Sequence, residues 1–344
     1  MKQNRFFRTT IKIFIPLSLG ITLLWYLYRH QDVSEMMRII KKDIGYEILL
    51  FSLIFGLLGN IIRGLRWGIL IDSLGKRVRR INLIYAVLGN YAINMVLPRV
   101  GEIWRCGVTA KYEKTPFTKL LGTLFVDRIM DTLVVGLLTL CLSVFNIRFF
   151  RYFFDENPPV IINTIYQLLT SAWFYTILVA IALSIWVVFV KLKRLAIVQK
   201  AAGFLKNVWE GVRSLWTIKN KTLFFVETLL IWGCYFTYFY ITFFAFDFTK
   251  DLGIRIALIA FAMSSIGVAV PIQGGIGVWH FMVMTTLVAF GVNKSDAGTF
   301  AMVVFAVQTL WMALVGLFGI VALPVINKKN DSRLPRKDAV VTIE

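Results

Sequence analysis

The chain is poor in the side chains that soluble enzymes use. It has two histidines, His30 and His280, and three cysteines, Cys106, Cys141 and Cys234, which lie far apart with no CxxC pair. That spacing argues against a zinc site and a disulfide framework and leaves the cysteines as small apolar packers. There is no HExxH, Walker or GxSxG motif, and no hydrophilic stretch is long enough for a catalytic domain. Acids are scarce too, 19 against 38 Lys and Arg, which gives a formal net charge of +19. The expectation is a protein that is not an enzyme, with no catalytic residue, no cofactor and no metal.

What is abundant is apolar. Hydrophobic residues make up 58% of the 344 and charged residues 17%, below the roughly 25% charged share of a soluble domain. A helix needs about 20 mainly apolar residues to cross about 30 Å of hydrocarbon. Windows such as Ile11 to Tyr28, Leu120 to Phe145 and Leu223 to Phe246 qualify. The fold class is therefore an all-α polytopic membrane protein. The positive charge sits in short loops beside apolar segments, so it reads as membrane topology and attraction to anionic headgroups, not as nucleic-acid binding. The first window follows Lys2, Arg5, Arg8 and Lys12, but no small-residue cleavage site follows Trp25 to Arg29, so it reads as a retained helix.

Cytoplasmic loops keep Lys and Arg, which orients the chain with both termini cytoplasmic in the cell (inner) membrane. Ile11 to Tyr28 leads outward, and His30 to Gly45 is an amphipathic stretch suited to the membrane surface. Tyr46 to Ile62 returns to a basic run of Arg63, Arg66, Lys76, Arg77, Arg79 and Arg80. Ile81 to Leu97 is followed by basic sequence again (Arg99, Arg105, Lys111, Lys114, Lys119), so it is expected to dip in and return as a re-entrant hairpin broken near Pro98 and Gly101. Leu120 to Phe145 exits, Pro158-Pro159 marks a turn, and Ala172 to Val190 comes back to the long basic loop from Lys191 to Lys221. Leu223 to Phe246 exits once more. Ile256 to Phe290, broken at Pro271 and a glycine cluster, must begin and end on one side, as two short spans or as a second re-entrant pair. Ala297 to Leu323 then runs inward. The sum is about six spanning helices and two Pro/Gly-broken elements entered from opposite sides, an inverted repeat, or else two ordinary loops with chance Pro and Gly. The division is a transmembrane domain over 1–326 and a basic cytoplasmic tail over 327–344, expected to be disordered.

Interrupted segments at matching places in two halves point to a transporter's central site. The acids within spans are Asp127, Asp131 and Glu227, and Arg128 is the one basic residue away from loops, tails and their edges. Arg128 lies about 12 Å of helix past Leu120, and a lone charge at the midplane costs about 2.5 to 3.5 kcal/mol even on a lenient scale. Asp127 and Asp131 share a helix face one turn apart while Arg128 points about 100° away, so partners are needed from elsewhere. The upstream broken element offers Asn90, Asn94, Arg99, Gly101, Glu102 and Arg105, with Glu102 placed to pair with Arg128 and the arginines placed to meet an acid or a phosphate. The second element carries Gly274, Gly275 and Gly277 ahead of His280. Its backbone amides suit a phosphate, and close helix packing is the competing reading. His280 is either a helix-interface residue or a ligand.

Three motifs carry a family resemblance: Asn94-x-x-x-Pro98-Arg99-x-Gly101-Glu102-x-x-Arg105, then Asp127-Arg128-x-x-Asp131, then Val270-Pro271-Ile272-Gln273-Gly274-Gly275-Ile276-Gly277. In their order and spacing the chain resembles the transmembrane, flippase-like region of lysylphosphatidylglycerol synthases, from about Ile11 to Leu323. The resemblance implies movement of a phospholipid or lipid-linked substrate between leaflets, without the cytoplasmic aminoacyl-transfer domain of the full-length synthases. Asn94, Arg99, Glu102, Arg105, Asp127, Arg128, Asp131, Gly274, Gly275, Gly277 and His280 are the expected substrate-binding residues. Where the family often has an acid just after the glycine loop, this chain has Trp279-His280, so no carboxylate role carries over there. The expected partners are the membrane and an anionic phospholipid or lipid-linked substrate, with room for a lipid-modifying enzyme or a second copy of the chain. The competing readings are a membrane-embedded transferase or accessory subunit, and a scaffold that binds anionic lipid through Lys191 to Lys221.

Overall fold

A computed structural model describes residues 33–42, 44–97, 99–156, 196–269 and 275–331, with a few positions between 22 and 29 and position 176. Most of the expected span before Tyr28, Pro98, the Pro158-Pro159 turn, the Ala172 to Val190 span, the loop to Arg194, Val270 to Gly274 and the tail from 332 lie outside the described residues. Among those described, the structure is helical and the sole strand-like pairing is an isolated antiparallel bridge between Ile44 and Phe246.

Among the described residues, four helices are long and apolar enough to cross a membrane: Tyr46–Asp72, Phe117–Phe145, Lys221–Ala245 and Lys294–Lys328. The shortest has 25 residues, about 37 Å at 1.5 Å per residue, more than the hydrocarbon needs. The chain is a multi-pass membrane protein. In chain order the helices are α1 (Val33–Lys42), α2 (Tyr46–Asp72), α3 (Arg80–Val96), α4 (Val100–Glu113), α5 (Phe117–Phe145), α6 (Ile147–Glu156), α7 (Ala196–Arg213), α8 (Lys221–Ile241, ending in a tight turn over Thr242–Ala245), α9 (Gly253–Ala269), α10 (Val278–Ala289) and α11 (Lys294–Asp331).

The first broken element is a hairpin of α3 and α4. Arg99 turns it in the left-handed region, at φ 66°, where a non-glycine residue is uncommon. Asn94 Oδ1 accepts the Gly101 N–H at 2.8 Å and so braces the turn. A Cβ at Gly101 would collide with the Asn90 carbonyl oxygen, so only glycine lets α4 pack this closely on α3. At the open end Glu113 accepts from the Arg79 N–H at 3.1 Å and from Asn82 Nδ2 at 2.5 Å, and Lys76 Nζ reaches the Lys114 carbonyl at 2.8 Å. Both ends therefore lie together, as the charge count predicted.

The second element pairs α9 with α10. Arg255 at its start and Ala289 and Phe290 at its end border one cavity with Asn146, at the C-terminal end of α5. The sequence left two spans or a re-entrant pair open. At 12 residues, α10 is about 18 Å long and too short to cross, which selects the re-entrant pair. The first hairpin opens at the N-terminal end of α5 and the second at its C-terminal end, so the two enter from opposite ends.

The long helices complete the inversion. The α2 and α8 helices run antiparallel, tied at one end by Gly45 N–H to the Ala245 carbonyl at 2.9 Å and at the other by Arg66 Nη1 to Thr228 Oγ1 at 3.2 Å. Gly56 and Gly59 admit the rings of Tyr238 and Tyr235 against α2. From the second hairpin α11 runs back to the first, where Asn327 Nδ2 donates to Asn82 Oδ1 at 2.9 Å. The order helix, hairpin, helix thus occurs twice with reversed direction, over α2–α5 and α8–α11. Leu133, Leu137, Leu140 and Val144 stay exposed along α5, as expected of a lipid-facing stripe.

The α7 helix lies against the first turns of α5. Lys119 pairs with Glu210 at 2.6 Å, a contact that holds the Glu210 carboxyl below its ordinary pKa through the hydrogen bond from Lys119. Gly122 and Gly211 bring the two backbones together, and a side chain at either would strike the opposite main chain. Gly122→Val should therefore lift α7 off α5 and speed tryptic cleavage after Lys206 and Arg213. Unchanged cleavage would show that another contact holds the helix.

Candidate functional site

The sequence placed Arg63 and Arg66 in a cytoplasmic run after a span ending at Ile62, and it placed Arg105 in a loop. The structure corrects all three. The α2 helix continues ten residues to Asp72, and Arg63, Arg66 and Arg105 are 4%, 0% and 0% exposed. Buried guanidinium groups persist only when carboxylates compensate them, and α5 supplies those acids.

Asp127 and Asp131 stand one turn apart on α5, both buried. Asp127 Oδ1 accepts from Arg66 Nη2 at 2.6 Å, while its Oδ2 meets Arg105 Nη2 and Arg128 Nη2 at 3.3 Å each. Asp131 takes Arg63 Nη1 at 2.7 Å on one oxygen and Arg66 Nη2 at 2.8 Å on the other, with Arg128 Nη1 at 3.6 Å. Glu102 lies 3.6 Å from Arg128 and 3.8 Å from Arg99. Arg128, expected to be the deep charge, sits at the rim with its side chain 30% exposed, and Arg99 lies further out at 51%. Ile103 on α4 and Phe125 and Ile129 on α5 are also exposed.

Among the described residues, four guanidinium groups from α2, α4 and α5 thus face three carboxylates, an excess of one positive charge. Arg105 stacks on the Trp67 ring at 3.9 Å, and Trp67 is in turn anchored by its indole N–H to Thr123 Oγ1 at 3.0 Å. Arg105 Nε and Nη1 are buried without a hydrogen-bond partner among the described residues, as is Arg66 Nε. Buried donors of this kind are rare in native proteins. On the far side Arg63 Nε donates to Tyr235 Oη at 3.2 Å, Tyr235 donates to Asn60 Oδ1 at 2.7 Å, and Tyr91 Oη lies 3.4 Å from Tyr235 Oη. These bonds bring α3 and α8 into the network.

The structure therefore brings Arg99, Glu102, Arg105, Asp127, Arg128 and Asp131 together and adds Arg63 and Arg66. Asn94 and Gly101 brace the hairpin turn instead. Gly275 and Gly277 have φ of 76° and 84°, and His280 Nδ1 accepts the Gly277 N–H at 3.4 Å. His280 is 3% exposed and packs against Tyr28, Trp279 and Phe305. It belongs to the second hairpin and makes no contact with the charge cluster, and Gly274 lies outside the described residues. Glu227 on α8 is half-buried, and its Oε2 has no hydrogen-bond partner among the described residues. No group of three or more His, Cys, Asp or Glu among the described residues is placed to hold a metal.

Two opposed hairpins among long antiparallel helices, with a multivalent ionic centre inside, define a polytopic membrane protein built around a buried polar core. A model of the family described as the lysylphosphatidylglycerol synthase TM region matches residues 13–316, and the chain belongs to that family. It is also similar to the UPF0104 membrane protein MJ1595 of Methanocaldococcus jannaschii, 26% identical over 156 residues, which is 44% of this chain and 45% of the relative. The chain thus spans about half the length of that curated relative. No solved structure matches it.

The cluster generates a stability prediction. Asp127→Asn leaves Arg66 and Arg105 undercompensated and should cost about 3–5 kcal/mol, the scale for breaking a buried ion pair. Arg128→Gln at the rim should cost about 1 kcal/mol or less. Unfolding of the detergent-solubilised protein measures both, and equal losses would contradict this ordering of depth.

Proposed function

We propose that this protein moves a phospholipid or lipid-linked substrate between the leaflets of the cell membrane, with both termini cytoplasmic. The observation that carries this reading is the excess of guanidinium over carboxylate, together with the unpaired donors of buried Arg105. A phosphate group crossing hydrocarbon needs countercharge and hydrogen-bond donors that the lipid tails cannot supply. Arg99 and Arg128 at the rim meet the phosphate first, Glu102 orients them, and Arg105 offers its free N–H groups further in. Asp127 and Asp131 hold the remaining arginines in place without cancelling the whole positive charge. Membership of a family named for a lipid synthase's membrane region agrees with a lipid substrate, and the opposed hairpins supply the inverted architecture on which alternating access is commonly built.

Reconstitution tests this. Proteoliposomes carrying fluorescent anionic, zwitterionic and aminoacylated phospholipids should translocate at least one headgroup faster than empty liposomes. Arg128→Ala should slow that rate about tenfold or more, since a charge-assisted hydrogen bond contributes roughly 1.5–3 kcal/mol. Translocation no faster than in empty liposomes across the panel, or a rate unchanged in Arg128→Ala, would overturn the reading. A chemically altered lipid would point to a membrane-embedded transferase instead.

A further inference from the structure

A second polar site lies at the other end of α5. There the helix ends at Phe145, Asn146 breaks it, and α6 sets off from Ile147. A cavity of about 400 Å³ opens at this corner, lined by Phe145, Asn146, Arg148, Phe149, Arg255 and Phe290 among others. Its size falls within the range of sites that hold a small organic group.

Three features of the lining bear on a ligand. Arg148 from α6 and Arg255 from α9 border the same cavity, both exposed, and no ion pair or hydrogen bond to either is found among the described residues. Asn146 is 8% exposed. Its Nδ2 donates to the Leu142 carbonyl at 3.1 Å, which fixes the amide, and its Oδ1 is buried with no partner among the described residues. A buried acceptor left open costs about 1–3 kcal/mol, so the site calls for a donor. The rim is apolar and faces outward, with Phe145 83% and Ile147 70% exposed.

We infer that this cavity binds the phosphodiester headgroup of a membrane lipid, with Arg148 and Arg255 on the phosphate and a headgroup hydroxyl or N–H donating to Asn146 Oδ1. Two guanidinium groups on different elements match the several oxygens of one phosphate. Asn146 demands that the same ligand carry a hydrogen-bond donor, which a simple anion such as chloride lacks. Exposed Phe145 and Ile147 fit the acyl chains that remain in the bilayer. The site lies about 22 Å along α5 from Asp131, fifteen residues at 1.5 Å each, and so is separate from the charge cluster. It stands whether or not the chain transports lipid. If transport is correct, the cavity is the station at the opposite membrane face.

Photolabelling of the full chain in nanodiscs separates this site from the central one. A phosphatidylglycerol analogue with its photoreactive group beside the headgroup should label peptides containing 145–149 or 289–290. Arg148→Gln combined with Arg255→Gln should cut that labelling about tenfold or more while leaving any labelling of 99–131 intact. Arg148→Lys with Arg255→Lys should restore most of it, which guards against loss through misfolding. A diacylglycerol analogue bearing the same photoreactive group should label weakly, and inorganic phosphate should compete poorly. Equal labelling of the double Gln variant, equal labelling by diacylglycerol, or full competition by inorganic phosphate at the concentration of the lipid competitor would each overturn the assignment. Labelling without translocation in proteoliposomes would refute the transport reading and leave this one standing.

Discussion

Charge inside hydrocarbon is the constraint from which the rest of this structure follows. Asp127 meets guanidinium groups from α2, α4 and its own helix, and Asp131 binds both α2 arginines. Neither acid is tolerable alone in the membrane, and neither are the arginines. Each helix is therefore held where its partner's charge is, and the relative heights of α2, α4 and α5 are set by ion pairs more than by apolar packing, which differs little from contact with lipid tails. Tyr235, Tyr91 and Asn60 extend the same network to α3 and α8.

Close backbone approach supplies what ion pairs do not. Gly101 lets α4 sit on Asn90, Gly89 receives Trp104 and Ile320, and Gly56 and Gly59 take the tyrosines of α8. Small residues at such crossings allow van der Waals packing where the hydrophobic effect between helices is weak. The second half is built differently. Its core is aromatic, with Phe239, Phe243, Phe246, Phe300 and Trp279 in mutual contact, and its half-helix α10 is capped by its own His280. The carboxylates and arginines of the buried ionic centre come from the first half, and the second half contributes Thr228 and Tyr235 to it.

The motifs that were legible at sequence level are those that local chemistry announces. Asp127-Arg128-x-x-Asp131 stands out because three charges interrupt an apolar run, and Pro and Gly mark both broken elements. Arg63 and Arg66 were hidden because they adjoin Lys76, Arg77, Arg79 and Arg80, so a count of charges assigns them to a loop. Their spacing held a usable signal. Asn60, Arg63 and Trp67 recur at three and four residues, and this helical period runs straight through the expected end of the span. The separation of His280 from the arginines carried no such signal, since both lie in motifs of the same resemblance.

By itself the sequence determined that this is a helical, multi-pass membrane protein with two Pro/Gly-broken apolar elements, because hydropathy, Pro and Gly positions and loop charge act within a few residues of one another, while the short α10 helix of the structure was needed to make the second element re-entrant. Only the tertiary structure decided which charges meet. Whether an arginine near a helix end snorkels to water or turns inward depends on a carboxylate sixty residues away on another helix. No local pattern records that distance.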